Sequence, residues 1–195
     1  MRNFIFLAFC TTVFCLACHK GELQPNGFAS TQYGTTATVK MSNSWWVNIS
    51  LPGTGNLTPL PIFFQTYNTV QNTTDSMWLD DFNNLAIAYT IGFPGSVGSG
   101  PDSLAGLGAD FKCKVAINYY ALTFSTVNAL NYYGDSATTV VTVIGGKIFP
   151  MAGISLSGNP VDSIYMRAIF SNALNPTDTF TIAGVARTEF NADDY

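Results

Sequence analysis

The chain has 195 residues, a formal net charge of −4, and 10% charged, 47% hydrophobic and 14% aromatic residues. The basic residues are few and scattered, which argues against nucleic-acid binding. So low a charged fraction beside so many aromatics predicts a sheet-rich protein with extensive apolar and hydroxyl-bearing faces.

The first element is a targeting segment. Arg2 supplies a positive start, Phe4 to Leu16 form an uncharged apolar run too short to cross a bilayer as a permanent helix, and Ala17 is the small residue before a cut. The arrangement resembles a bacterial lipobox, with Cys18 as the lipidation site, although Cys15 stands where an aliphatic residue is usual. The competing interpretation is an ordinary secretory signal that ends near a cysteine. Acyl chains bury about 0.8 kcal/mol per methylene, so two or more of them hold a protein firmly on a membrane. His19 is not the acidic residue that retains many such proteins on the inner membrane, so the expected location is the outer membrane of a bacterial envelope. Cys10 and Cys15 leave with the signal and Cys18 is capped, which makes Cys113 the only free thiol and excludes an intramolecular disulfide. The expected organisation is a signal at 1–17, a lipidated tether at 18–34 and one folded domain at 35–195. The tether is rich in Gly21, Pro25, Asn26 and Gly27. At about 3.3 to 3.6 Å per residue it reaches up to about 50 Å. No stretch after Cys18 is long and apolar enough to span a membrane.

The domain alternates with period two. Trp45, Val47, Ile49 and Leu51 share one face and Trp46, Asn48 and Ser50 the other, until Pro52 and Gly53 stop the strand. Ile62 to Tyr67 and Met77 to Asp80 are shorter strands, and Leu85 to Phe93 sets bulky residues over small Ala86, Ala88 and Thr90. A Gly/Ser/Pro-rich loop follows from Pro94 to Gly108, and then Phe111 to Ile117 alternates against Lys112 and Lys114, predicting one wet face. Leu122 to Ser125 is a short strand candidate. Thr138 to Ile144 is β-branched and stiff, Gly145-Gly146 signals a hairpin, and Lys147 to Phe149 returns from it. Val161 to Phe170 and Phe180 to Thr188 flank an Asn175-Pro176-Thr177-Asp178 turn. The fold class is all-β: an antiparallel up-and-down meander of about eight or nine strands, which must close into a barrel or fold into a sandwich to protect its edges.

Several segments taken in order carry a family resemblance: Trp45 to Val47, Gln65 to Thr69, Met77 to Asp81, Gly145 to Ile148, Ser157 to Tyr165, Ala186 to Phe190 and Asp193 to Tyr195. Together they resemble the bacterial lipoproteins called lipid-binding putative hydrolases. The resemblance implies a calycin-like barrel of about eight strands, related in architecture to lipocalins, on a lipidated surface protein. The insertion around Pro94 to Gly108 departs from it, so a rim loop is expected to differ.

The word hydrolase finds no constellation among the residues. His19 is the sole histidine and lies in the tether, which excludes Ser-His-Asp, Cys-His and His-rich metal sites inside the domain. Cys113 sits in an alternating strand, where a buried structural thiol is expected. Asp80-Asp81 and Asp193-Asp194 are sequence neighbours beside turn signals, and are expected as solvated turn carboxylates. Two acids from different strands remain open for glycosidase chemistry. Gly98-Ser99-Gly100 lacks the spacing of a nucleophile elbow. No cofactor, metal or catalytic residue is expected.

Two functions compete. In the first, the barrel holds a lipid-like or other small hydrophobic ligand, with Trp46, Trp78, Tyr89, Phe111 and Arg167 as candidate cavity residues. In the second, side chains fill the interior and the domain recruits a protein or a glycan through exposed aromatics such as Tyr132 and Tyr133. Interior volume separates them. Room remains if small faces such as Ala86, Ala88 and Ala116 point inward, and it is filled if Leu85, Ile87 and Phe111 do.

Overall fold

A computed structural model describes residues 36–58, 60–82, 112–132, 139–171, 173 and 176–195, all within one unit, Thr35–Tyr195. A 3-10 turn, Val39–Met41, leads into β1 (Asn43–Leu51). There follow β2 (Gly55–Asn56), β3 (Ile62–Asn68), β4 (Ser76–Asp80), β5 (Lys112–Asn118) and β6 (Thr123–Leu130). β7 (Val140–Ile154), β8 (Pro160–Phe170) and β9 (Phe180–Ala186) complete the set before a second 3-10 turn, Asn191–Asp193. From β3 onward each strand pairs with its sequence neighbour, and β1 pairs with both β3 and β9. Eight strands therefore close into an antiparallel barrel, with β2 as a short extra strand on the end of β1. Closure removes the free edges that a flat meander exposes.

Period two sets the inside. Trp45 lies opposite Phe64 on β3 and Ala186 on β9, Val47 opposite Ile62 and Gly184, and Ile49 opposite Ile182. The same face continues through Met77 opposite Val115 and Leu79 opposite Cys113, then Val141 opposite Phe170 and Val143 opposite Ala168. A side chain bordering a water-sized void keeps some accessible surface. Val47, Phe64, Met77, Leu79, Val141 and Met166 keep 0%, so side chains fill the barrel at these layers as in a close-packed core. The polar groups around Trp45 are paired: its indole donates to Thr66 Oγ1 at 3.0 Å, and that hydroxyl donates to the Met41 carbonyl. Ala116, a candidate for leaving room inside, is exposed on the outer face. Ala86, Ala88, Leu85, Ile87 and Phe111 lie outside the described residues.

Two expectations need correction. Gly145-Gly146 is not a hairpin. β7 continues through it to Ile154, the pairing with β8 shifts register between Ile144 and Lys147, and the chain turns only at 155–159. Gly145 takes φ 61°, the conformation of a bulge. At Gly146 a Cβ would come within 2.7 Å of the Phe124 ring carbon Cζ, so the glycine leaves room for an inward aromatic side chain from β6. Secondly, β6 runs on to Leu130, past the expected Ser125. Register shifts along its pairing with β7, and Asn128 at φ 50°, break the period-two pattern that would have revealed the continuation.

Alternation of direction sorts the connections between the two ends of the barrel. The described chain enters at the end where Trp45 meets Ala186. That end also carries the 69–75 turn, the Tyr119–Leu122 turn and the β7–β8 hairpin tip. The β1–β2 turn and the C-terminal ends of β4, β6 and β8 lie at the other end.

Candidate functional site: an aromatic outer face

The residues between the inward ones stand on the outside of β1, β3, β4 and β5. Trp46 lies opposite Phe63, Tyr67 opposite Trp78 and Asp80 opposite Lys112. Their rings meet edge to face, Trp46 with Phe63 at 5.9 Å between centroids and Trp78 with Tyr132 at 5.0 Å. Tyr195 at 5.7 Å from Trp46 and Phe82 at 5.6 Å from Phe63 extend the cluster. Such contacts hold aromatic rings in defined orientations.

Two cations lie over these rings. Lys112 Nζ is 5.6 Å from the Tyr67 centroid and 5.8 Å from that of Trp78. The Arg187 guanidinium is 5.5 Å from Trp46 and 5.8 Å from Phe63. Each cation also has a carboxylate. Lys112 Nζ is 2.9 Å from Asp80 Oδ2, which accepts the Tyr67 hydroxyl at 2.7 Å. Arg187 donates from Nε and Nη2 to the two Asp194 oxygens at 2.8 Å each, a bidentate pair. The Asp80 side chain is 1% exposed although its strand position faces outward. Asp81 and Asp193 are buried as well, so these three acids are not the solvated turn carboxylates expected. Two of them serve as hydrogen-bond acceptors in the fold: Asp80 Oδ1 takes the Phe82 N–H at 3.0 Å, and Asp193 takes the Ser157 and Thr188 hydroxyls at 2.9 and 2.6 Å.

Ionisation follows from these partners. Burial raises the Tyr67 phenol above its ordinary value, and the hydrogen bonds to Tyr67 and Asp80 hold Lys112 in its charged form. At neutral pH this cluster thus presents a phenol and an ammonium, and neither acts as a general base. Burial pushes the Cys113 thiol up to about 12, which makes it inert as a nucleophile. Arg187 holds the Asp194 carboxyl below the usual carboxylate range, and hydrogen bonds from Thr188 and Ser157 do the same for Asp193. A carboxylate with a depressed pKa stabilises the fold fully above its unfolded value of about 3.9, and that contribution fades as pH falls through the folded value. Thermal melts of the wild type and Asp193→Asn are therefore expected to differ at pH 7 and to converge as the pH falls through the lowered folded-state value. A constant difference would show that the charge plays no part.

The candidate residues fall into three groups. Trp46 and Trp78 both lie on the outer face, in two groups four residues apart along β3: Trp46 with Phe63 and Arg187, and Trp78 with Tyr67 and Lys112. Arg187 forms a salt bridge with Asp194 of the C-terminal segment. Arg167 follows inward Met166 and is exposed on β8, away from this face. None of Trp46, Trp78 and Arg167 lines the interior, because each alternates with a core residue. Tyr89, Phe111 and Cys18 lie outside the described residues. Finding Phe63 and Lys112 required the register between strands, which period two alone does not contain.

No curated protein matches the chain. A crystal structure of a Bacteroides ovatus protein of unknown function is similar, with a TM-score of 0.43 and 12% identity over 79% of this chain and 43% of that one. At that level nothing about this chain follows from it. The family model described as lipid-binding putative hydrolase matches residues 30–191. A lipid-binding role fits an eight-stranded barrel. With that match running through every strand of the barrel, the chain belongs to the family of lipid-binding putative hydrolases.

Proposed function

We propose that the protein is a lipoprotein, acylated at Cys18 and tethered by residues 18–34 to the bacterial outer membrane. It binds a lipid-like or other small hydrophobic ligand without catalysing a reaction, and does so from the outside of the barrel. The observation that carries this reading is the contrast between a core with 0% exposure at its central layers and an outer face where Lys112 and Arg187 each lie over two aromatic rings. Aromatic surface suits an acyl chain, and cationic donors beside it suit a polar headgroup. A filled interior also suits the second class, a module that recruits a protein or glycan through the same aromatics.

Native mass spectrometry of the full chain, purified after bacterial expression, is expected to show a co-purifying lipid mass. The double variant W46A/W78A is expected to weaken binding of a fluorescent fatty acid at least about tenfold, or about 1.4 kcal/mol. Unchanged affinity in a folded double variant excludes this face as the ligand site. A clean apo mass with no probe binding leaves the recruiting module as the function.

A further inference from the structure

The barrel end at which the chain enters carries apolar side chains that the core does not use. Val70 in the 69–75 turn is 96% exposed and Tyr120 in the β5–β6 turn is 97% exposed. Met151, Ile154 and Leu156 at the β7–β8 hairpin tip are exposed too, as is Phe190 in the C-terminal segment. The C-terminal segment is held to this end, because Asp193 accepts the Ser157 hydroxyl at 2.9 Å. No charged residue occurs from Ile148 to Val161. Met151 is held within β7, at the register shift between Phe149 and Gly153, by its own N–H, which donates to Asp162 Oδ1 at 2.8 Å, and takes φ 53°. Leu60, Phe82 and Tyr132 at the opposite end are exposed as well, but the Phe82 and Tyr132 rings rest against Phe63 and Trp78.

Two further observations indicate what covers this end. The described chain begins here, at Thr36, so whatever lies N-terminal to it joins the barrel on this side. Lysines flank the apolar tips: Lys40 lies 5.7 Å from the Tyr119 ring and Lys147 4.9 Å from that of Phe149. Among the described residues, five carboxylate side chains also lie at this end: Asp75 and Glu189 are exposed, Asp162 and Asp194 are half-buried, and Asp193 is buried. Asp75 takes the hydroxyls of Thr73 and Ser76, Asp162 the Met151 N–H and Asp193 the Ser157 hydroxyl, and Asp194 pairs with Arg187. Protruding apolar tips with two lysines and a tyrosine among them suit a bilayer interface, where apolar groups enter the headgroup region and ammonium groups meet lipid phosphates. A second protein would need a matching concave surface.

We propose that this end is a membrane-docking surface, whose turn and hairpin tips insert into the leaflet to which the N-terminal lipid is tied. The inference rests on the lipid-anchor reading above. It adds that the barrel lies down on the bilayer instead of floating at the limit of its tether.

The test uses the full chain, matured in bacteria and reconstituted into vesicles of phosphatidylethanolamine and phosphatidylglycerol. An environment-sensitive dye is placed on Ile154→Cys or, in a second variant, on Leu156→Cys, with Thr54→Cys at the opposite end as control. Cys113 is buried and does not compete for the label. Dye at 154 and 156 is expected to shift to the blue and to lose most of its emission when the lipids carry brominated acyl chains, while dye at 54 does neither. Intact mass of the N-terminal peptide reads the anchor separately. An acylated chain whose 154 and 156 labels remain unquenched overturns docking and leaves the anchor standing. A chain without acyl groups overturns both. A blue shift that follows protein concentration and ignores brominated lipid shows a second copy on this end, and also overturns docking.

Discussion

Trp45→Ala is expected to lower the unfolding free energy by about 4 kcal/mol, in the range of large aromatic truncations in close-packed cores. Trp45 is 1% exposed and faces Phe64 and Ala186 across both of its ladders. The neighbours belong to a closed sheet whose strands cannot slide inward without breaking hydrogen bonds, so little of the space collapses. The variant also removes the indole donor to Thr66. For a domain of this size the melting temperature should fall by about 10 °C, measurable by circular dichroism or calorimetry. The new void is lined by apolar atoms and should take up benzene, raising the melting point of the variant and not that of the wild type. A loss below about 1.5 kcal/mol, or benzene stabilisation of the wild type, would mean that the interior is already slack.

Gly184→Ala is expected to cost about 3 kcal/mol, at the upper end of ordinary overpacking. Gly184 lies on the ladder between β1 and β9, opposite Val47, where a Cβ would stand 2.6 Å from the Val47 Cα and collide with the Trp46 carbonyl. The atoms it meets are all β1 backbone, which has no side chain to swing away, so the closing seam itself must part. Gly158→Ala makes the contrast. That glycine has φ 85° and no atom within 4 Å of a Cβ, so its cost is the left-handed conformation alone, about 1 kcal/mol. Hydrogen exchange should show the β1 and β9 amides losing protection first in Gly184→Ala. Equal effects of the two substitutions would contradict a seam closed by backbone contact.

The barrel was legible because its core strands obey one rule. Trp45-Val47-Ile49 and Cys113-Val115 alternate cleanly, and both sets point inward. Turn chemistry was less informative. Gly145-Gly146 carries the dipeptide of a tight hairpin, yet its glycines serve a bulge and the Phe124 ring; only tertiary contact separates the two uses. The site was half legible. Trp46 and Trp78 were identifiable as aromatic and unpaired with the core, but which face looks inward is a property of the closed sheet. Arg167 and Arg187 occupy similar strand contexts, and only the return of the C-terminal segment gives Arg187 its partner Asp194. The burial of Asp80 likewise depends on Tyr67 and Lys112 from neighbouring strands.

The pairing of β1 with β9 has a kinetic consequence. Most ladders join sequence neighbours and form early from local encounters, but this one links the first strand made with the last, at the entropic cost of the longest loop in the domain. Until translation delivers β9, nascent β1 offers bare amides and the apolar stripe of Trp45, Val47 and Ile49 to any other chain nearby. Under the export proposed above, a precursor held unfolded until secretion would extend that interval, which makes β1 the segment a holding chaperone is expected to cover.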